Sequence, residues 1–309
     1  MSLVSLEEHN PGIFDRFMVF KGEKLTYDMR RLLVRYDIAF LDADALPKGG
    51  VAISLPPMQQ KQWPADVFLN WVLPEYLERL GYRYSLKLDY DTLSVAAFPT
   101  EMFEKDAFSV AILGTEGDTQ LPDSVVARAR REMGLNVVHE RAMQVGIVVL
   151  DNEYVSEFEL FDRFAGLYSI LAEEVPDHPE PLEQVCFAAL AANMERTRAL
   201  AARLHTRSKT TRNIPPGFES STVLLHFITE FKPWKPLSPR QVVHLTGQKR
   251  WPMLPFYRMV WLDYASRVDG FTEYCDQRPY SILEILNMAN TILQTEKVKI
   301  SNAEASSSS

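Results

Sequence analysis

Only two cysteines, Cys186 and Cys275, occur in 309 residues. A disulfide framework is therefore not expected, and the plain reading is two free, buried thiols in a reducing cytosol. No apolar run approaches the roughly 18 residues of a membrane span. The opening MSLVSLEEHNPG has neither a basic start nor a long apolar stretch, so it does not read as a signal peptide and the expected location is cytoplasmic. Basic residues are in the minority, 33 Lys and Arg against 41 Asp and Glu, for a net charge of -8, which argues against a nucleic-acid partner. There is no internal repeat. What remains is a chain with 46% hydrophobic and 24% charged residues, the profile of a soluble globular protein with a sizeable core. Such an acidic chain can bind a polyanion only with local positive charge, from a metal or from a few Lys and Arg.

The first half alternates short apolar runs with helical periodicity. Strands are expected over 17–20, 37–41, 84–88, 108–113 and 146–150, and helices over 25–36 and 66–80, the second kinked or broken at Pro74. The run Ile147-Val148-Val149-Leu150 is of the kind buried on both faces of a sheet. Further on, helices are expected over 157–174 and 182–205, a polar loop around Pro215-Pro216-Gly217, a strand over 222–227, and helix again from 251 to 300. The last residues, SNAEASSSS, are low-complexity and expected to be disordered. Strands alternating with helices predict an α/β fold with a mixed, mostly parallel sheet flanked by helices. The organisation read from this is a domain over 1–237, a helical C-terminal segment over 238–300 and a tail over 301–309.

Two stretches carry chemistry. In Leu86-Lys87-Leu88-Asp89-Tyr90-Asp91 an apolar strand ends in two carboxylates one residue apart. Ligands of open α/β sheets bind at the carboxyl ends of strands, and hard divalent cations take one or two carboxylates plus substrate phosphates. Alone, an Asp-x-Asp is more often a solvated turn. Asp42-Ala43-Asp44 supplies the control within the same chain: it also follows an apolar run, but Pro47 and Gly49-Gly50 come directly after, as in a surface turn. The second stretch, Val223 to Trp234, delivers His226 on a strand and Lys232 from the loop after it. An imidazole with two carboxylates suits Mn²⁺, and a lysine suits a phosphate. A lone strand histidine is more often a packed core residue.

Together these stretches resemble glycosyltransferase family 8 and its retaining GT-A relatives, over about residues 3–237 and in the same order. The helix Val72 to Leu77 running into Asp89-Tyr90-Asp91 resembles the family's helix and acidic motif, which implies Asp89 and Asp91 as metal ligands. Gln144 to Asn152 resembles its Asn-Ala-Gly strand, which implies that Gln144 and Gly146 line the donor sugar. Pro181 to Val185 resembles its Asp-Gln-Asp helix start and implies Gln184, with Glu183 beside it, near the reacting sugar carbon. His226 to Trp234 resembles its His-x5-Lys-Pro-Trp ending, the most specific of the four; it implies His226 as third metal ligand and Lys232 on the diphosphate. Ser2-Leu3 and His9-Asn10-Pro11 resemble the family's first helix and the turn after it, and the first strand that precedes them in the family, and helps to bind the base, has no counterpart here.

The resemblance implies a GT-A-like fold and transfer of a hexose, with retention, from a nucleotide-diphosphate sugar (a UDP-sugar first) to a glycan or glycolipid acceptor. Mn²⁺ or Mg²⁺ is the implied cofactor, and surface polysaccharide or lipopolysaccharide assembly the implied setting. The sequence departs from the family at Asn70, Gln144, Glu183, Val185 and Thr229; those at 70, 183 and 185, with the unmatched first strand, keep a non-catalytic, glycosyltransferase-like binding or scaffold protein as the alternative. An unrelated phosphoryl or nucleotidyl transferase would use the acidic pair without His226 or Lys232. Between 250 and 267, Arg250, Trp251, Phe256, Tyr257, Arg258, Trp261, Tyr264 and Arg267 mix arginines with aromatics. Packing onto the domain is the first reading; an interfacial surface for a membrane or an oligomer is the second.

Overall fold

The computed structural model describes residues 1–20, 25–43, 46, 65–105, 108–112, 121–136, 143–177, 182–208, 222–228, 232–235 and 254–276. Its strands are β1 (Phe17–Phe20), β2 (Ala39–Asp42), β3 (Tyr84–Leu88), β4 (Thr92–Ser94), β5 (Phe108–Ile112), β6 (Met143–Asp151), β7 (Thr197–Ala199), β8 (Thr206–Arg207) and β9 (Leu224–His226). The chain divides into two compact units. The first comprises Met1–Phe14, Tyr90–Phe98 and Arg203–Ser309; the second comprises Asp15–Asp89 and Pro99–Ala202.

The second unit is a four-stranded sheet in the order β3-β6-β5-β7, together with the parallel pair β1–β2. β6 occupies an inner place, antiparallel to both β3 and β5. Ile147, Val148, Val149 and Leu150 are each at most 2% exposed, as a continuous apolar run on an inner strand requires. The residues that follow β6 tie it to β3: Asn152 donates from Nδ2 to the Tyr82 carbonyl (2.7 Å) and accepts from the Ser85 hydroxyl (2.8 Å). The helices Asp123–Met133, Leu160–Glu174 and Leu182–Ala191 contribute to one core with β6, centred on Phe164, Leu167, Phe187 and Trp71. Phe164 lies 5.0 Å from the Phe187 ring and 5.6 Å from that of Phe68, centroid to centroid.

The first unit is a smaller sheet, β4-β9-β8, with β4–β9 antiparallel and β8–β9 parallel. The helices Ser2–His9 and Leu254–Ala265 belong to it. Its core joins Leu93 and Val95 to Leu225, Phe227, Tyr257, Trp261 and Ala265.

The α/β class is as expected, and the sheet is mixed: among the described residues three strand pairings are parallel and three antiparallel. Three helices differ from the sequence reading. The one expected over 66–80 is a 3₁₀ stretch Ala65–Trp71 followed by an α-helix Leu73–Arg79 that places Pro74 in its first turn, where the missing N–H costs nothing. The one expected over 157–174 begins only at Leu160, because Glu159 takes a left-handed φ of 56° and separates it from a short helix Asn152–Glu157. The one expected over 182–205 stops at Ala191, and Thr197–Ala199 then pairs parallel with β5. Its alanine-rich composition favours helix, but the sheet edge offers the Thr197 segment backbone partners instead.

The aromatics of the C-terminal segment pack inward. Tyr257 is fully buried, Trp261 is buried, and Phe256 and Tyr264 pack partly buried against the same core. The interfacial reading of that helix is thereby overturned for its largest described rings; Arg250 and Trp251 lie outside the described residues. Among the described residues no helix is long and apolar enough to cross a membrane. Cys186 is a free thiol, fully buried.

Phe164 tests the core of the second unit. Its replacement, Phe164→Ala, leaves a cavity that the surrounding aromatics fill only in part, at a cost of about 3–5 kcal/mol. The expected readout is a lowered urea midpoint with an unchanged slope.

Candidate metal and phosphate site

Asp91 is the centre of the first unit's polar interior. It precedes β4, and its backbone carbonyl accepts from the Phe227 N–H at 2.9 Å. The β4–β9 register, Thr92 opposite His226, sets Asp91 beside the end of β9. His226 Nε2 lies 3.1 Å from Asp91 Oδ1 and donates to it, since an ionised carboxylate can only accept. The other carboxylate oxygen accepts from Lys232 Nζ. Asp91 is 5% exposed and His226 2%. Burial alone would push the Asp91 carboxyl up, but the hydrogen bonds and charges of His226 and Lys232 outweigh it and hold the group below its ordinary value.

Both partners are themselves held. Lys232 also donates to the Phe227 carbonyl at 2.6 Å. The turn that carries it is fastened by Arg258, a guanidinium 1% exposed, which donates to the carbonyls of Lys232 (3.0 Å) and Lys235 (2.7 Å). His226 Nδ1 lies 2.9 Å from His205 Nε2, and His205 is also buried. Burial first, then His226 and Arg207, lower the His205 pKa to about 3, so its imidazole is neutral. The N-terminal helix closes the backbone side: the Ser2 hydroxyl reaches the carbonyls of Tyr90 (2.9 Å) and Thr92 (2.8 Å), and Ser5 Oγ accepts from the Ser94 N–H (3.0 Å).

Asp89 ends the segment that leads out of β3. Its N–H donates to the Gly146 carbonyl (2.8 Å), and its carboxylate accepts from Lys87 Nζ at 2.7 Å. Lys87 also donates to the Val145 carbonyl. Gln144, on the same strand as Gly146, turns its side-chain oxygen back to the Gly146 N–H (2.9 Å). Each aspartate of the pair thus has its own lysine. Only Tyr90 separates the two, so chain connectivity keeps their Cα atoms within about 7 Å. Asp89, Asp91 and His226 form a group of the kind that can hold a metal ion; Asp42 has no part in it, and Asp44 lies outside the described residues. Two carboxylates and an imidazole suit a divalent cation by donor chemistry.

Glu183 and Gln184 stand in the first turn of the helix Leu182–Ala191. The Glu183 carboxyl accepts from the Trp71 indole N–H at 3.0 Å. Burial pushes its pKa up to about 7, against the pull of Lys87 and of that hydrogen bond, with Asp89 adding to the rise. Gln184 and Asn70 are half-buried. Pro181 and Thr229 fall outside the described residues. His205, Arg258, Ser2 and Lys87 were not expected from the sequence as site residues. Lys87 left a signal, a lysine two residues before Asp89 in an apolar strand; His205 was absorbed into an expected helix.

With this geometry in view, the solved structures are informative about fold. A bifunctional glycosyltransferase, WbbM, superposes with a TM-score of 0.56 at 12% identity, over 89% of this chain and 48% of its own. The chain therefore spans about half the length of that protein. The galactosyltransferase LgtC, solved with donor and acceptor sugar analogs, gives 0.49 at 14% identity over 80% of this chain and 90% of its own. The glycosyltransferase GlyE of Streptococcus pneumoniae gives 0.47 at 15% identity, over 85% and 59%. The fold is of the GT-A glycosyltransferase type. No protein-family profile matches the sequence, and no curated protein matches it either.

Glu183 gives the site a pH signature. Its folded pKa of about 7 lies above the ordinary 4.5, so the fold favours the protonated form. Its contribution is complete below about pH 4.5 and is lost as pH rises towards 7, at about 1.4 kcal/mol for each pH interval of one between those two values. Glu183→Gln keeps an acceptor for Trp71 and is expected to flatten the fall in urea-unfolding stability between pH 4.5 and 7.

Proposed function

We propose that the chain transfers a hexose from a nucleotide-diphosphate sugar to a glycan or glycolipid acceptor, with retention at the anomeric carbon. The observation that carries this reading is the buried Asp91 engaged by both His226 and Lys232, within a GT-A fold. A buried carboxylate with an imidazole and an ammonium on its two oxygens is costly to desolvate, and it is what a site for a cation and a phosphate needs.

Asp89, Asp91 and His226 would hold Mn²⁺ or Mg²⁺. Such an ion, when bound, neutralises the charge that develops on a departing diphosphate. Lys232 exchanges its bond to Asp91 for a phosphate oxygen. Gln144 and Gly146 are assigned to the donor sugar, Gln184 to the neighbourhood of the reacting carbon, and Glu183 to the support of Gln184 through Trp71. An amide is a poor nucleophile, so the acceptor hydroxyl attacks from the face the diphosphate leaves, which accounts for retention. A UDP-sugar is the first donor to try. Surface polysaccharide or lipopolysaccharide assembly is the proposed setting, in the cytoplasm, with residues 1–237 as the catalytic domain and 238–300 as its helical extension. The scaffold alternative is favoured by one observation: the Glu183 carboxyl is already committed to Trp71.

Two measurements test this. Release of free sugar from a panel of nucleotide sugars with Mn²⁺ is expected for the parent chain and lost in Asp91→Asn; a parent that neither turns over nor binds UDP rejects the reading. Lys232→Ala removes a charge-assisted contact of about 1.5–3 kcal/mol. The expected result by calorimetry is weaker UDP binding in saturating Mn²⁺, with Mn²⁺ affinity equal to or above the parent's, because Lys232 no longer competes for Asp91.

A further inference from the structure

His205, the buried partner of His226, is unused by the mechanism above. His205 comes from the turn before β8, and His226 ends β9; the two strands run parallel, Arg207 opposite His226. The ring nitrogens His205 Nε2 and His226 Nδ1 are 2.9 Å apart, and both residues are buried, at 7% and 2% exposure. One of the two nitrogens must carry the proton and the other accept it. As placed, His226 gives its Nε2 proton to Asp91, so in the neutral ring Nδ1 is the acceptor and His205 Nε2 the donor. A metal on His226 Nε2 requires the opposite tautomer, with the proton on Nδ1.

We infer that His205 is a positioning residue whose hydrogen bond sets the tautomer of His226, and so its competence as a metal ligand. The inference rests on the metal reading of the preceding subsection. A histidine suits this role because its Nε2 can be either donor or acceptor. With a cation on His226 Nε2 the shared proton would sit on His226 Nδ1, His205 Nε2 would accept it, and the one proton of His205 would sit on its own Nδ1. Each ring carries one proton before and after, so the buried pair changes tautomer without acquiring charge. A side chain that can only donate would lock His226 in the form that faces Asp91. One that can do neither would leave its Nδ1 unpaired in the interior.

The test uses the full chain and two substitutions. His205→Gln places an amide near the Nε2 position and can either donate or accept; His205→Phe fills the space and can do neither. Mn²⁺ affinity, read from free Mn²⁺ by electron paramagnetic resonance, is expected to fall tenfold or more in His205→Phe, in line with the 10–100-fold typical of such partners. It is expected to stay within about threefold of the parent in His205→Gln. Equal affinity of the parent and His205→Phe overturns the inference, as does a loss in His205→Gln as large as in His205→Phe. Should His205→Phe fail to fold, ¹⁵N spectra of the parent decide: His226 is expected to carry its proton on Nε2 without Mg²⁺ and on Nδ1 with it, and an unchanged tautomer overturns the inference. A parent that binds neither ion overturns the metal reading and this inference together, whereas a parent that binds with a silent His205 overturns this inference alone.

Discussion

The first unit depends on how it accommodates one ionised carboxylate in its interior. Taking Asp91 out of water carries a penalty of several kcal/mol in a real protein, and each neighbouring element supplies something against it. β9 brings His226 to one oxygen, the loop after β9 brings Lys232 to the other, and the N-terminal helix ties down the backbone on either side through Ser2. Arg258, from a helix more than 160 residues along the chain from Asp91, fixes the turn that carries Lys232. The C-terminal helix is thus bound to the site through its own buried guanidinium, which explains why its aromatics face inward.

The two aspartates are provided for differently. Asp89 is half-exposed and leans on Lys87, which also reaches the Val145 carbonyl of the inner strand β6. Asp91 is enclosed, and its lysine comes from a loop. Lys87 is anchored along β3. Lys232 sits on a turn after a strand rather than along one. That asymmetry agrees with the phosphate role proposed for it.

Much of this was legible in the chain. The strand at 84–88 and the apolar run at 147–150 announced themselves because hydrophobic patterning and burial agree there. The order of the acidic pair, His226 and Lys232 was readable because each sits at or just beyond a strand end. What could not be read has a common cause. Ser2, His205 and Arg258 act through one or two hydrogen bonds each, to partners 21 to 90 positions away, and no periodicity encodes such a pairing. His205 was hidden further by alanine-rich sequence, whose helix propensity is a local quantity, while the pairing of β7 and β8 is decided by distant edges. The arginines and aromatics of 256–267 were ambiguous for a related reason: the same composition serves an interface and a core, and only Tyr257 at full burial separates them.

The departures from the family pattern bear on which of the two functional readings is stronger. Asn70, Gln144, Glu183 and Val185 all lie in the second unit, where the resemblance places the donor sugar. The first unit keeps Asp91, His226 and Lys232 in the family's order, and departs from it at Thr229, between His226 and Lys232. A buried ion pair is often no more stabilising than apolar side chains of the same volume, so the desolvated Asp91 carboxylate fits the proposed transfer reading better than a purely structural one. In the proposed reading Glu183, protonated up to about pH 7 and bonded to Trp71, holds the helix bearing Gln184 rather than touching a sugar, and the specificity of the site is to be sought in Gln184 and Asn70.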